Sequence, residues 1–336
     1  MSVPTTRDDK APETAAFRPR RIAHVNLFVR DLHESLAFYR DVCGFVPVFD
    51  EPGISAVFLS NGNSHHDIAL MEVSHVERTG LDGHVQVERG RGARAGLNHL
   101  GFEMETEADL VRAVQAADGR GVAIHRTVDH QISRSAYLWD PDGNYLEFYA
   151  DASTDWRAVY RRAEGELLSS RWAPDAELAS REPHYERDSA RTRLPSAAIH
   201  PLRTSRAVLV VADLDLSVDF YTQQLGFELL STSVDAGAVT LTGTLGDPDL
   251  LLVEQRGTEP VGFHHFGIEV ADHAALTQAR TDIELAAHPV LLDIDSPTAE
   301  GFVITDPDEM LVEVLVARAP DHAMPDHAPL ERHFLI

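Results

Sequence analysis

The sequence predicts an α+β fold of four βαβββ modules paired into two domains. Three observations carry this reading: strings repeated between the halves, a strand and helix order that recurs, and a length suited to two domains. Asp31-Leu-His-Glu-Ser-Leu-Ala-Phe-Tyr39, closing on Gly44-Phe45, returns as Asp213-Leu-Asp-Leu-Ser-Val-Asp-Phe-Tyr221, closing on Gly226-Phe227. Asn98-His99-Leu-Gly101-Phe-Glu103 returns as His264-His265-Phe-Gly267-Ile-Glu269, and Asp140-Pro-Asp142 with Glu147 returns as Asp306-Pro-Asp308 with Glu313. At 336 residues each copy has enough chain to bury its own core.

The first module reads as a strand over 21–30, a helix over 32–43, and strands over 45–49, 54–59 and 67–73. Asp31 suits the N-cap, and Gly44 suits the left-handed residue that ends the helix. The second reads as a strand over 97–104, a helix near 108–117, strands near 124–128 and 135–139, a Pro-Asp-Gly-Asn turn, and a strand over 145–149. Residues 152–203 break the pattern: 156–171 looks helical, and 181–193 is charged and Pro-flanked, so the segment is expected to be a connector. The modules then repeat, giving a first domain over 21–151 and a second over 204–317. Residues 1–20 and 318–336 lack apolar periodicity and are expected to be disordered tails, so His322, His327 and His333 are read as tail residues rather than a metal site.

Composition narrows the function. A net charge of −25 argues against nucleic acid and anionic membrane partners, which need clustered Lys and Arg. The single cysteine, Cys43, excludes an intramolecular disulfide and thiolate-rich metal sites, and suits a reducing, cytoplasmic setting. No apolar run of about eighteen residues is present, and the first twenty residues have no apolar signal region, so neither a membrane span nor a secretory signal is expected.

Strand parity brings three polar residues to one face. His24 lies between Ala23 and Val25, His99 between Asn98 and Leu100, and Glu147 between Leu146 and Phe148. Alternate residues of a strand face opposite sides, so the apolar neighbours go to the helices and the polar three to the concave face. Two neutral imidazoles and a carboxylate suit a divalent first-row metal with positions left open for substrate and O₂. Taken singly, each residue also reads as a buried polar group with a local hydrogen bond.

These residues resemble the vicinal oxygen chelate superfamily, which spans glyoxalase-like and extradiol dioxygenase-like domains. Within it they resemble the two-domain type I extradiol ring-cleavage dioxygenases of the catechol 2,3-dioxygenase kind. The motifs are His24-Val-Asn-Leu-Phe-Val-Arg-Asp31-Leu, Leu97-Asn-His99-Leu-Gly-Phe102, and Asp140-Pro-Asp-Gly-Asn144-Tyr-Leu-Glu147-Phe-Tyr149. The resemblance implies Fe(II), with Mn(II) as the alternative, held by His24, His99 and Glu147. It implies a catecholic substrate cleaved with O₂, and it leaves a homo-oligomer open. His66 falls where the family keeps a histidine that moves protons, and His130 and Tyr137 fall where it contacts substrate oxygens. Histidine suits proton transfer in both directions near neutral pH. The plainer readings are an exposed loop residue for His66, a turn residue for His130 and sheet packing for Tyr137. Phe38 and Tyr39 read as core, Asp140 to Asn144 as turn chemistry, and Trp156 as either a cover for the site or an anchor for the connector.

In the second copy Arg206 stands opposite His24, Val303 opposite Tyr137, and Ser296-Pro297-Thr298 opposite His130. A guanidinium cannot coordinate a cation, so that half is expected to be non-catalytic. The scaffold alone also admits a non-redox metal-dependent lyase or isomerase of the glyoxalase kind, with Glu72 as a further carboxylate ligand. It admits a metal-free small-molecule-binding resistance protein as well.

Overall fold

The computed structural model describes residues 15–318 except 164, 167, 188, 234, 235 and 296–298. The first module is β1 (Arg21–Val29), α1 (Leu32–Ala37), β2 (Val46–Glu51), β3 (Ala56–Ser60) and β4 (Ile68–Glu72). A short hairpin, β5 (Arg78–Thr79) and β6 (Val85–Val87), precedes the second module of β7 (Gly96–Glu103), α2 (Glu107–Ala117), β8 (Ile124–Asp129), β9 (Ser133–Trp139) and β10 (Tyr145–Asp151). After α3 (Trp156–Arg162) and β11 (Ser170–Arg171) come β12 (Pro201–Val211), α4 (Leu214–Asp219), β13 (Glu228–Ser233), β14 (Ala238–Thr242) and β15 (Pro248–Glu254). The chain closes with β16 (Gly262–Val270), α5 (His273–Leu285), β17 (Leu292–Asp295), β18 (Ala299–Thr305) and β19 (Leu311–Ala317).

These strands form two curled half-barrels. One sheet runs β11-β8-β9-β10-β7-β1-β4-β3-β2, the other β13-β14-β15-β12-β16-β19-β18-β17. In each, the opening strands of the two modules pair antiparallel at the centre, β1 with β7 and β12 with β16. Residues from those strands therefore meet in the middle of the curl. Val25, Leu27 and Val29 point into an apolar core shared by both sheets, while His24 and Asn26 face the other way.

The first helix is not uniform. Asp31 caps α1 by accepting the His33 and Glu34 amides, but Phe38–Val42 continues as a π-helical turn in which the Cys43 amide reaches the Phe38 carbonyl at 3.1 Å. The second copy repeats this at Phe220–Gln224. The wider turn lodges the following tyrosine in the junction between the halves. Tyr39 donates to Asp306 at 3.0 Å and Tyr221 donates to Asp140 at 2.8 Å, a reciprocal clamp. Asp140 also accepts the Asp142 and Asn144 amides, so the repeated Asp-Pro-Asp string shapes a turn and locks the opposite domain.

Three expectations are corrected. Residues 15–20 are not frayed: Phe17 is fully buried with its ring 4.3 Å from Phe148, and the Arg20 amide reaches the Glu103 carbonyl. One aromatic in a polar stretch makes no period, so its anchoring was invisible locally. The helix expected over 156–171 ends at Arg162, with Gly165 at φ +73°, and Ser170 and Arg171 then extend the first sheet beside β8. The last sheet's central strand begins at Pro201 rather than within the expected domain start at 204. Residues 1–14, the tail histidines and Ser296 to Thr298 lie outside the described residues. No helix among the described residues is long and apolar enough to cross a membrane.

Candidate metal centre and cavity

A row of residues crosses the middle of the first sheet. Register pairs Tyr137 with Glu147, Glu147 with Gly101, and Gly101 with His24, across β9, β10, β7 and β1. His24 and Glu147 are thus two strands apart, on either side of Gly101. A Cβ on Gly101 would lie 1.9 Å from His24 Nε2, so the missing side chain is what lets the imidazole lean across β7. His24 Nε2 then reaches Glu147 Oε2 at 2.8 Å. His99 Nε2 lies 2.8 Å from the same oxygen, with its ring turned off the line of a hydrogen bond.

The electrostatics suit a cation. Burial drives the His24 pKa down to about 4 despite the opposing pull of Glu147, and burial also lowers His99, so both rings are neutral near pH 7. Burial pushes Glu147 up, but the two imidazoles outweigh it and hold the carboxyl well below its usual range. One ligand atom from each of the three lies within 4.8 Å of the others. Two unprotonated nitrogens and an ionised oxygen on one point form a donor set that fits a borderline divalent ion such as Fe(II), Mn(II) or Zn(II).

Around this cluster the other sequence candidates converge. His66, in the turn before β4, is not exposed: its ring stacks on His24 at 4.1 Å, and both of its nitrogens are buried without a hydrogen-bond partner. His130, in the turn between β8 and β9, shares a hydrogen bond with the Tyr137 hydroxyl at 3.0 Å and lies 3.9 Å from Glu147 Oε1. Burial raises the Tyr137 phenol well above its ordinary value, and the Glu147 charge adds to this. Trp156 does not line the space but anchors the connector, packing with Phe49, Ile132 and Tyr160. Glu72 belongs to neither candidate ligand group among the described residues.

His66, His99, His130, Tyr137 and Glu147 line one cavity, and His24 borders it through its contact with Glu147. Sequence reasoning missed several of its walls. His65 is 2 % exposed and pairs through Nδ1 with Asp151 at 2.9 Å, and with His24 and His66 it forms a second close group of histidines. Tyr160 and Leu168 come from the connector, Arg91 from the loop after β6, and Arg126 from β8. Arg126 shares strand parity with Val128, and a charge at that position was the available signal; nothing in the local pattern marked the connector residues.

Glu51, at the end of β2, is a buried carboxyl on the same wall, accepting the Leu168 amide at 3.1 Å. Burial pushes its pKa up to about 7, against the smaller opposing effect of that amide. A raised folded pKa means that its contribution to stability is complete below the unfolded value of about 4.3 and is lost as pH rises through 7. Glu51→Gln is therefore expected to match the parent in urea unfolding at pH 4. At pH 8 it should be more stable by about 2–3 kcal/mol.

With the geometry established, sequence comparison supplies the family. The model described as the glyoxalase/bleomycin resistance protein/dioxygenase superfamily matches residues 21–148 and 203–314. The chain belongs to that superfamily. A relative in the superfamily, catechol-2,3-dioxygenase of Bacillus subtilis (strain 168), is 30% identical over 227 residues, 67% of this chain and 72% of that protein. Biphenyl-2,3-diol 1,2-dioxygenase 3 of Rhodococcus globerulus is 31% identical over 131 residues, 39% of this chain and 63% of that protein. Among solved structures, the 2,3-dioxygenase LapB from Pseudomonas sp. KL28 superposes with a TM-score of 0.64 at 17% identity, covering 94% of this chain and 98% of that one. The Mn(II)-bound glyoxalase from Novosphingobium aromaticivorans gives 0.62 at 16% identity, covering 91% and 86%. At those identities the structural likeness establishes the superfamily's fold: two curled half-barrels.

Proposed function

We propose that this chain is an Fe(II)-dependent extradiol dioxygenase that opens a catechol-type ring and inserts both atoms of O₂. The observation that carries the reading is the convergence of His24, His99 and Glu147 on one point at the wall of a cavity that His66, His130 and Tyr137 also face. Residues 21–151 form the catalytic domain and 204–317 the non-catalytic one. The catechol-2,3-dioxygenase relative supports the substrate class. Mn(II) satisfies the same donors.

Held by His24, His99 and Glu147, the metal would supply the electron exchange that lets a catechol and O₂ react. The protein's share is binding, orientation and proton movement. His66 is neutral because burial lowers its pKa well below the usual value, and its free nitrogens can take a proton from a substrate hydroxyl and return it later. Tyr137 and His130 hold a substrate oxygen from the other side, the phenol staying protonated and able to donate. Phe49, Phe58 and Ile132 give the ring an apolar seat that excludes water. A glyoxalase-like lyase is the second reading, resting on the Mn(II)-bound neighbour, but the further carboxylate it would use, Glu72, stands outside the cluster.

The test is anaerobic loading with Fe(II), followed by O₂ uptake and ring-fission absorbance with a panel of catechols. One O₂ consumed per catechol is expected, and Glu147→Ala should lower the rate by more than about 100-fold, beyond the scale seen when a ligand's outer partner is lost. Metal-loaded protein that consumes no O₂ with any catechol, or that is active without O₂, would overturn the reading.

A further inference from the structure

The cavity wall carries two guanidiniums that pair with no carboxylate among the described residues. Arg91 and Arg126 both line it. Outside the cavity Arg20 and Arg21 pair with Glu103, Arg203 with Glu269 and Arg206 with Glu313, while the buried Arg78 donates to the Glu72 carbonyl. Neither cavity arginine has a carboxylate partner among the described residues. Arg91 Nη2 donates to the backbone and side-chain oxygens of Asn98 at 2.5 and 2.7 Å. Arg126 donates through Nε to the Tyr145 hydroxyl at 2.7 Å, and through Nη1 to the carbonyls of Val85, at 2.6 Å, and Gln86. Its Nη2 is buried with no partner at all.

The two guanidiniums flank one ring. Arg91 Cζ stands 4.1 Å and Arg126 Cζ 5.5 Å from the centroid of Tyr145, which stacks on Tyr137 at 5.4 Å. They therefore sit one aromatic layer beyond the hydroxyl that faces His130 and the ligand cluster. The guanidiniums and the ligand cluster line the same cavity. The second half differs: Leu292 pairs with Val303 in the register where Arg126 pairs with Tyr137, and residues 255–261 replace the long hairpin connection that delivers Arg91, their Arg256 being paired with Glu254.

Burying a guanidinium without a counter-charge is costly, and its planar fork is matched by a carboxylate. We propose that Arg91 and Arg126 form a subsite for a carboxylate carried by the substrate, so that the ring substrate is a catechol with an acidic side arm. This rests on the dioxygenase reading above. Arg126 is held by the hairpin carbonyls, which lowers the ordering cost of binding.

The test uses anaerobic Fe(II)-loaded protein, titrated calorimetrically with catechols bearing a carboxylate on an arm of zero, one or two carbons, each beside its methyl ester. At least one acid should bind about 30-fold more tightly than its ester, the scale of a hydrogen-bonded charge pair, and kcat/KM should show the same preference. Arg126→Met and Arg91→Met should each collapse the acid-to-ester ratio about tenfold or more, with Arg126→Lys retaining part of it as a check on the hairpin. Equal binding of every acid and its ester, or an unchanged ratio in both folded methionine variants, would overturn the subsite. Failure of the underlying reading is separate: no catechol, acidic or neutral, would then undergo ring fission.

Discussion

Gly101→Ala is expected to strip the protein of its metal while leaving the fold standing. A methyl group there would lie 1.9 Å from His24 Nε2, 2.2 Å from Cε1 and 2.3 Å from Cδ2, so the imidazole must leave its place. It has no easy retreat, because His66 stacks on one side at 4.1 Å and Tyr149 on the other at 5.2 Å. Packed interiors do not yield by that much without a rotamer change. The backbone at Gly101 is not in the left-handed region, so alanine strains nothing else. Loss of one of three ligands should weaken metal binding by more than about 100-fold, read by metal analysis after chelator competition. Unfolding of the metal-free variant should differ from the parent by about 1–3 kcal/mol. Gly267→Ala is the control: there the methyl meets the flexible end of Leu315 at 2.7 Å, and metal content should not change. Parental affinity in Gly101→Ala would sink the row geometry as the basis of the site.

The same glycine shows what the sequence could and could not tell. Period-two patterning identified the two half-barrels, because strand parity is local and each strand has one apolar face. It also selected His24, His99 and Glu147, while the family resemblance, not the period, pointed to His66, His130 and Tyr137, which gather around them. Gly101 sat inside a quoted motif without a role, since its role is an absence filled by a residue 77 positions away, as the numbering 101 − 24 shows. Tyr39 read as core and is core, but its hydroxyl partner, Asp306, comes from the other copy, and no local pattern joins them. His65, Arg126 and Tyr160 were hidden for the same reason: charge and aromaticity become functional only once the curl of the sheet and the connector enclose them.

The second domain offers a complementary experiment, in which a metal site is expected to appear. Gly267 pairs with Glu313 as Gly101 pairs with Glu147, and Arg206, within the register shift between Thr204 and Ala207, takes the position of His24. Arg206 Nε donates to Glu313 Oε2 at 3.0 Å and Nη2 to the other oxygen, with His265 Nε2 3.7 Å from the same carboxylate. The guanidinium thus takes the place a cation would occupy. Burial pushes Glu313 up, but Arg206 and then His265 hold it down to about 2, so the stability it contributes is present above about 4.5 and is lost as pH falls toward 2. Arg206→Ala leaves that charge uncompensated and should cost about 3–5 kcal/mol at pH 7, measured by urea unfolding, with the loss shrinking toward pH 2. Arg206→His instead restores a two-histidine, one-carboxylate set. Metal analysis should then find a second ion per chain, and saturating Mn(II) at about 100 times Kd should recover about 2.7 kcal/mol. O₂ uptake per chain should not rise, because Val303 holds the register position of Tyr137 and no arginine stands at Leu292. A second ion without added turnover would separate metal binding from catalysis within one chain. If no second ion binds to folded Arg206→His, then ligand identity is not what distinguishes the two halves.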